Sequence, residues 1–454
     1  MSAKNSCATL RKKFFVYLAA AFGAVLTTSI YSFVDTVVVG QYEGGTGIAA
    51  ISCVNPVWNL FIGFGLLFGI GGSVMFSVSR GKGDTRASNE YFTASLIAVI
   101  SVAVVLYVLF LTLKKQLLAL FGAGGDELVL EKALDYAGYI AYVMPLFILG
   151  NYLSAFIRND GSPLTATIAV VSGGAFNIFG DVFFVFGLDM GIGGAGLATM
   201  LGQILSFCIM LTYFFRKKCT LRLTLPHRFF RLAFSAARGG FAPFIVDFSF
   251  GILVILFNNR IMQLGGSTEL GVFGAVSTTV LLIQVLFYGV GQALQPLASF
   301  AYGASDMRSL KKLLKYALLT AAGMSVLFCV LALAMPGALI RVYIGSPTES
   351  ELATGAYAFR ALSVCLLFMG ANITLSYYFQ SVLRVGVSVL ISVLRGLGLC
   401  SALLYALTAA FGIGAVWWVM PVAETATAVI AFALLAAVKI RPKNAPEKGE
   451  GENA

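Results

Sequence analysis

Residues 164–187 read LTATIAVVSGGAFNIFGDVFFVFG, a long apolar run whose one ionisable side chain is Asp181. As a helix, such a run spans the ~30 Å hydrocarbon core of a bilayer, and it is longer than a water-soluble core needs. A carboxylate there requires a bundle interior or a wet cavity, so Asp181 is a functional-site candidate by default. Asn177 lies four residues earlier and shares its helix face. The stretch 14–39 repeats the pattern, largely apolar and uncharged except for Asp35 near its end.

The rest of the chain extends this reading. Of 454 residues, 59% are hydrophobic and 11% charged, and apolar runs leave room only for short connections. Polar breaks place spans near 14–39, 49–79, 91–113, 132–157, 164–187 and 191–215. A second set follows near 240–264, 271–300, 313–336, 353–380, 385–410 and 414–438. The expected fold is an all-α polytopic membrane protein of twelve helices. Residues 1–225 form an N-terminal six-helix lobe and 226–441 a C-terminal one, with a connector near 216–239 and a disordered polar tail at 442–454. The basic start at Arg11, Lys12 and Lys13 suggests a signal peptide, but the apolar run behind it outlasts a ~7–15-residue h-region and reads as a permanent helix.

Charge sets the orientation. Basic residues gather at one set of ends, among them Arg80, Lys82, Arg86, Arg158, Arg216–Lys218, Arg228, Arg231, Arg238, Arg308, Lys311, Lys312 and Arg384. The opposite loops hold only Lys114, Lys115, Lys132 and Arg341. The expectation is an inner (cytoplasmic) membrane protein with both termini in the cytoplasm. The net charge of +11 is then a topology signal, and no nucleic-acid partner is expected, because the basic residues flank spans instead of forming one patch.

The chain also repeats itself. FVDTVVVGQYEGGTGIAAIS at 33–52 answers LFNNRIMQLGGSTELGVFGAVS at 256–277, with an apolar helix end, a double glycine and a small-residue helix start in the same order. Six spans per half keep the orientation, giving a parallel pseudo-two-fold repeat of the kind transporters use around a site at the repeat interface. On this topology Asp35 lies about 8 Å, Asp181 about 9 Å and Thr199 about 12 Å from the outer ends of their helices at ~1.5 Å per residue. An acid, an amide-bearing acid helix and a hydroxyl at similar depth suggest one shared site.

The stretch FIRNDGSPLTATIAVVSGGAFNIFGDVFFVFGLDMGIGGAGLATMLGQ at 156–203 resembles the multidrug and toxic compound extrusion (MATE) family, as do FVDTVVVG at 33–40 and GQALQPLASFAYGA at 291–304. The resemblance covers nearly the whole chain and is to the DinF/MepA-like bacterial branch. It implies a V-shaped pair of six-helix lobes and a secondary antiporter, not an enzyme, working by alternating access. Such a protein exports amphipathic, often cationic compounds in exchange for protons or sodium, without a cofactor. It matches Asp35, Asn177, Asp181 and Thr199 to the family's coupling residues, which are also the oxygen donors a sodium ion would use. The chemistry agrees: burial favours a neutral carboxyl, and two carboxyls sharing a site do not easily both ionise. An alternative in the same superfamily is a lipid or lipid-linked oligosaccharide flippase, for which Arg260 and Arg395 are the available pyrophosphate ligands.

The second half lacks a counterpart of Asp35; Asn258 and Asn259 fall nearby. Asp247, Arg260, Arg395 and Glu424 are its candidate substrate or structural charges, with Arg395 and Glu424 expected to neutralise each other. Gly191, Gly193 and Gly196 match G-x-G-x-x-G but join two apolar helices, so a tight turn is expected, not a dinucleotide site. No G-x-x-x-x-G-K-[ST] loop is present, and His227 lies in the basic connector. The seven cysteines form no C-x-x-C, so neither zinc nor a disulfide framework is indicated. Gly65 and Gly69 suit close packing inside one bundle better than dimerisation, so a monomer is expected. Pro145, Pro243, Pro296 and Pro421 are candidate bending points; the first helix has none.

Overall fold

The computed structural model describes residues 3–438 except 122 and 344–347; side chains are not described for 3–8, 45, 125, 247, 248, 250, 251, 267, 268 and 343. Its regular structure among the described residues is all helical, with eleven helices long and apolar enough to cross a membrane and a shorter apolar piece, Ile252–Gly266. We number them α1 (Thr9–Gly44), α2 (Thr46–Gly81), α3 (Thr85–Leu120), α4 (Glu127–Asn159), α5 (Pro163–Gly187) and α6 (Gly191–Phe215). The second set is α7 (229–266), α8 (Glu269–Gly303), α9 (Met307–Ala334), α10 (Glu349–Ser381), α11 (Val385–Phe411) and α12 (Ile413–Ala437). The helices outrun the apolar windows. α3 has 36 residues, about 54 Å at ~1.5 Å per residue, so its ends must tilt or stand clear of hydrocarbon. α7 begins at Phe229, inside the stretch expected to connect the halves, with Phe230 and Phe234 exposed.

The duplication appears in the caps. α3 and α9 start at 85 and 307, α4 and α10 at 127 and 349, α5 and α11 at 163 and 385, α6 and α12 at 191 and 413; every pair differs by 222. The turns follow the same offset. Asp84 and Asp306 each cap the next helix, accepting from the amides of Ala87 and Ser309 at 2.9 Å. Left-handed residues at Gly83 and Ser305, and at Gly161 and Leu383, close four inner turns alike. In each, an amide reaches back to the carbonyl five residues earlier, as from Asp84 to Ser79 and from Arg384 to Phe379, the glycine-favouring helix ending. α1 breaks from α2 at Gly44 (φ 67°) and α7 from α8 at Gly266 (φ 72°), a backbone that needs no Cβ.

The cores show how the halves meet. A large apolar cluster including Phe61, Tyr136, Met144 and Tyr152 and a small one of Cys53, Ala123 and Val129 belong to the N-terminal lobe, and two to the C-terminal lobe. A fifth joins Phe14 and Leu18 of α1, Val74 and Val78 of α2, Leu294 of α8, Leu313 of α9 and Phe379 of α10. All of these lie toward the basic end. Among the described residues this is the one cluster that takes buried side chains from both lobes. Glycines allow the contact: a Cβ on Gly71 or Gly240 would overlap backbone where α2 crosses α7, and one on Gly81 or Gly303 would do so where α2 crosses α8. Polar ties between the lobes lie beside them, Arg158 donating to Gln292 at 2.9 Å and Asn159 to Gln295 at 3.4 Å.

Candidate functional site

The N-terminal lobe closes its polar centre from four helices. Asp35 comes from α1, Tyr136 from α4, Asn177 and Asp181 from α5, and Thr199 from α6. α1 runs on to Gly44, so Asp35 lies nine residues, about 14 Å, from the helix end at ~1.5 Å per residue, deeper than the sequence implied. Tyr136 is nine residues into α4 and Thr199 eight into α6, which brings three of the four helices to one level. The Tyr136 hydroxyl donates to Asp35 Oδ2 at 2.8 Å and also touches Thr199. Asn177 Nδ2 donates to Thr199 Oγ1 at 3.1 Å and to Asp181 Oδ1 at 3.3 Å. Asp35 and Asp181 interact electrostatically. The structure thus brings together all four residues read from the sequence and adds Tyr136, which links the Asp35 arm to the Asn177–Asp181–Thr199 arm.

Asp181 is fully buried and Asp35 7% exposed, yet neither enters an ion pair among the described residues. Three buried oxygens, Asp35 Oδ1, Asn177 Oδ1 and Asp181 Oδ2, have no protein donor. Unmatched buried acceptors cost free energy that a bound cation removes. Hard oxygens of carboxylate, amide and hydroxyl suit a proton or a sodium ion. The helix changes beyond the acid: Val182–Gly187 winds as a π-helix, the widened turn often found at functional positions.

The C-terminal lobe differs. Arg395 donates through Nε and Nη2 to Glu424 Oε1 at 3.1 and 2.9 Å. Asn372 Nδ2 supports Glu424 at Oε2, 2.6 Å, and at its carbonyl, 2.8 Å. The pair is buried, with side chains 7% and 2% exposed, and Arg395 sits in a second π turn, Leu394–Gly398. Arg260 donates to Thr408 Oγ1 at 2.8 Å and lies over the Tyr405 ring. Both arginines are thus engaged by protein. The Asp247 side chain lies outside the described residues.

The glycine motif is a turn: Gly191 has φ 57° and opens α6. Glu43 accepts from the Ile192 amide at 3.2 Å and from Lys132 at 2.9 Å, fixing this turn to α1 and α4. His227 pairs at the surface with Glu90 at 2.9 Å. At the basic end Asp160, buried, gathers Arg80, the Tyr213 hydroxyl, the Thr220 amide and the Thr220 hydroxyl. It anchors the connector to the N-terminal lobe. No group of three or more His, Cys, Asp or Glu that could hold a metal occurs among the described residues.

Eleven membrane-length apolar helices among the described residues, with α7 completing two matched halves that each wall in ionisable residues, make the body of a membrane transporter and not of an enzyme. The chain belongs to the MatE family, whose model matches residues 20–183 and again 241–404, once in each half. Similar proteins include the multidrug export protein MepA of Staphylococcus saprophyticus subsp. saprophyticus, 23% identical over 414 residues and 90% of each chain. MepA of Staphylococcus haemolyticus is 22% identical over 429 residues, covering 93% of this chain and 92% of its own. Among solved structures, an outward-facing multidrug resistance MATE family transporter of the MOP superfamily superposes with TM-score 0.87 at 20% identity, over 94% of this chain and 95% of that one. A MOP superfamily transporter from Pyrococcus furiosus gives 0.86 at 21% identity over the same shares. The fold is theirs.

Proposed function

We propose that the protein is a secondary active multidrug exporter that exchanges amphipathic, often cationic compounds for protons or sodium by alternating access. The observation that carries this is the buried, unpaired acid couple Asp35 and Asp181, with three acceptor oxygens lacking protein donors. A cation entering this centre satisfies those oxygens, and its departure leaves charge that a cationic substrate can balance; competition for the same carboxylates links the two fluxes. The likeness to MepA supports drugs as the cargo. The placing of the shared core at the basic end supports a cleft reached from the other side, closed and reopened by rocking about the α2 crossings. With the basic ends inside, the protein sits as a monomer in the cytoplasmic membrane with both termini in the cytoplasm. The flippase alternative is disfavoured, since Arg260 and Arg395 are already bonded to Thr408 and Glu424.

The test is Asp35→Asn and Asp181→Asn in an efflux-deficient host, with drug-gradient growth and substrate-driven proton or sodium flux in vesicles. Both changes are expected to abolish export while the protein still inserts. Normal resistance and normal ion-dependent efflux in both would sink the proposal. Running the flux at several pH values with and without sodium identifies the ion.

A further inference from the structure

The 222-residue offset pairs Gly173 of α5 with Arg395 of α11, and Gly202 of α6 with Glu424 of α12. In the N-terminal lobe those glycines are the crossing point: a Cβ on Gly173 would lie 2.6 Å from the Gly202 carbonyl oxygen, and one on Gly202 2.7 Å from that of Gly173. In the C-terminal lobe the same crossing holds a guanidinium and a carboxylate, which backbones in such contact could not admit. The neighbouring pair shows the widening. A Cβ on Gly174 would meet Thr27 at 2.6 Å, whereas on its counterpart Gly396 the nearest atom is Ser249 Cβ at 3.7 Å.

The space so opened is a cavity of about 260 Å³ between α7, α8, α11 and α12, continued past Arg395 by a second of about 90 Å³. Its body is apolar and aromatic, including Leu253, Phe257, Phe273, Val280 and Met420. Its polar end carries Arg395 and Glu424, the only charged residues lining either space among the described residues. They cancel, so a ligand with net charge would be desolvated without a counter-charge. Glu424 is screened, as Arg395 takes one oxygen and Asn372 the other. Of the five guanidinium N–H groups, Glu424 takes two and Tyr288 lies against the same guanidinium. The charged end of the wall therefore offers guanidinium donors, with hydroxyls and amides such as Ser277 and Gln284 beside the apolar body.

We propose that this cavity is a second ligand site of the transporter, separate from the Asp35–Asp181 centre, for compact, uncharged aromatic molecules whose polar head is a carbonyl-type hydrogen-bond acceptor. The reading does not depend on the coupling role of the acids. Cationic cargo is drawn to the N-terminal lobe and neutral cargo to this one, which lets one chain accept both classes.

Benzophenone is the probe: an uncharged aromatic ketone that, on irradiation, takes a hydrogen from a nearby C–H and joins its carbonyl carbon to that carbon. Labelling the purified full chain in nanodiscs and mapping adducts by mass spectrometry should place them on the cavity lining, with Met420 foremost. Ser277→Trp, which fills the cavity, and the neutral double change Arg395→Met with Glu424→Gln should each lower these adducts about tenfold, one acceptor bond's worth. Asp35→Asn should leave them unchanged. A carboxylated and a trimethylammonium benzophenone should label the cavity at least tenfold less than the parent ketone. Adducts confined to lipid-facing residues, labelling unaffected by Ser277→Trp, or equal labelling by the charged ketones would overturn the proposal. If the double variant does not fold, Ser277→Trp and the charged probes decide it.

Discussion

Alanine at Gly71 should act as a wedge between the lobes. A Cβ there overlaps the Ala236 carbonyl oxygen and lies 2.5 Å from the Gly240 nitrogen and 2.9 Å from the Ala236 carbonyl carbon. Ordinary contact starts at 3.4 Å, so α2 and α7 must separate by about an ångström in an interior that has no slack. The obstructing atoms are all backbone, so no rotamer can give way, and overpacking of this kind costs about 1–3 kcal/mol. On the proposed alternating-access reading, that cost falls only on the arrangement in which the basic end is closed. At ~1.4 kcal/mol per tenfold, the balance between closed and open basic ends should move by about 5- to 150-fold. Gly240→Ala enters the same crossing from the other side, its Cβ 2.6 Å from the Leu67 carbonyl carbon, while Gly138→Ala meets nothing within 4 Å and is the control. Spin labels on Thr85→Cys and Arg308→Cys, at matching turns of the two lobes, report the separation by electron–electron double resonance. Gly71→Ala and Gly240→Ala should lengthen the main distance and slow export. Distances and export equal to those of Gly138→Ala would refute the tight crossing as the hinge.

Three further outcomes follow from named contacts. Tyr136→Phe removes the donor to Asp35 Oδ2, leaving a second orphan oxygen at a cost of about 1–3 kcal/mol; the pH profile of export should shift while expression stays normal, and an unchanged profile would remove Tyr136 from the coupling centre. Arg395→Met or Glu424→Gln alone strands a buried charge or breaks its pair and should lower stability by about 3–5 kcal/mol, while both together should be near parent stability; additive losses in thermal unfolding would show that the two do not act as a pair. Asp306→Ala deletes a helix cap worth about 1 kcal/mol. Burial opposes ionisation of Asp306, but hydrogen bonds from Ser309 and Arg308 outweigh it and hold the carboxyl below its usual range. The cap's stabilisation is therefore complete above the unfolded carboxyl's pKa of about 3.9 and fades as pH falls through the lower folded value; a deficit that persisted below that value would contradict the capping role.

What the sequence revealed and what it concealed divide along physical lines. Asp35, Asn177, Asp181 and Thr199 were legible because polar groups stand out in apolar runs and helix geometry converts position to depth. Tyr136 was not, because a tyrosine in such a run is an ordinary amphipathic filler until a partner is seen; its matching depth on α4 was the available signal. The Arg395–Glu424 pairing followed from the cost of lone charges in lipid. Its exchange for Gly173 and Gly202 did not, since weak identity blurs the register between halves and only the repeated caps and left-handed turns fix it. The start of α7 at Phe229 was hidden for a related reason: Arg231 and Arg238 mark the stretch as polar, although a helix can carry them on its exposed side.

The asymmetry of the two lobes then traces to a single crossing. Where Gly173 and Gly202 let α5 and α6 touch, the residues one turn farther along face each other, and Asn177 can reach Thr199 at 3.1 Å. At the equivalent C-terminal positions stand Leu399 and Pro421, with Leu403 at Asp181's place, and the two leucines join the apolar cluster around Phe257 and Ile261. A guanidinium and a carboxylate at the crossing hold α11 and α12 apart. Amide and hydroxyl placed at 399 and 421 would then stand too far apart to bond, and acids there would lack the partners that make a cation centre. Close packing at the crossing thus leaves a compact polar centre with no room for a ligand, and charge at the crossing leaves a cavity with no such centre. On the proposed reading, the two halves of a duplicated scaffold diverge in role by exchanging side chains around this crossing, without moving a helix cap.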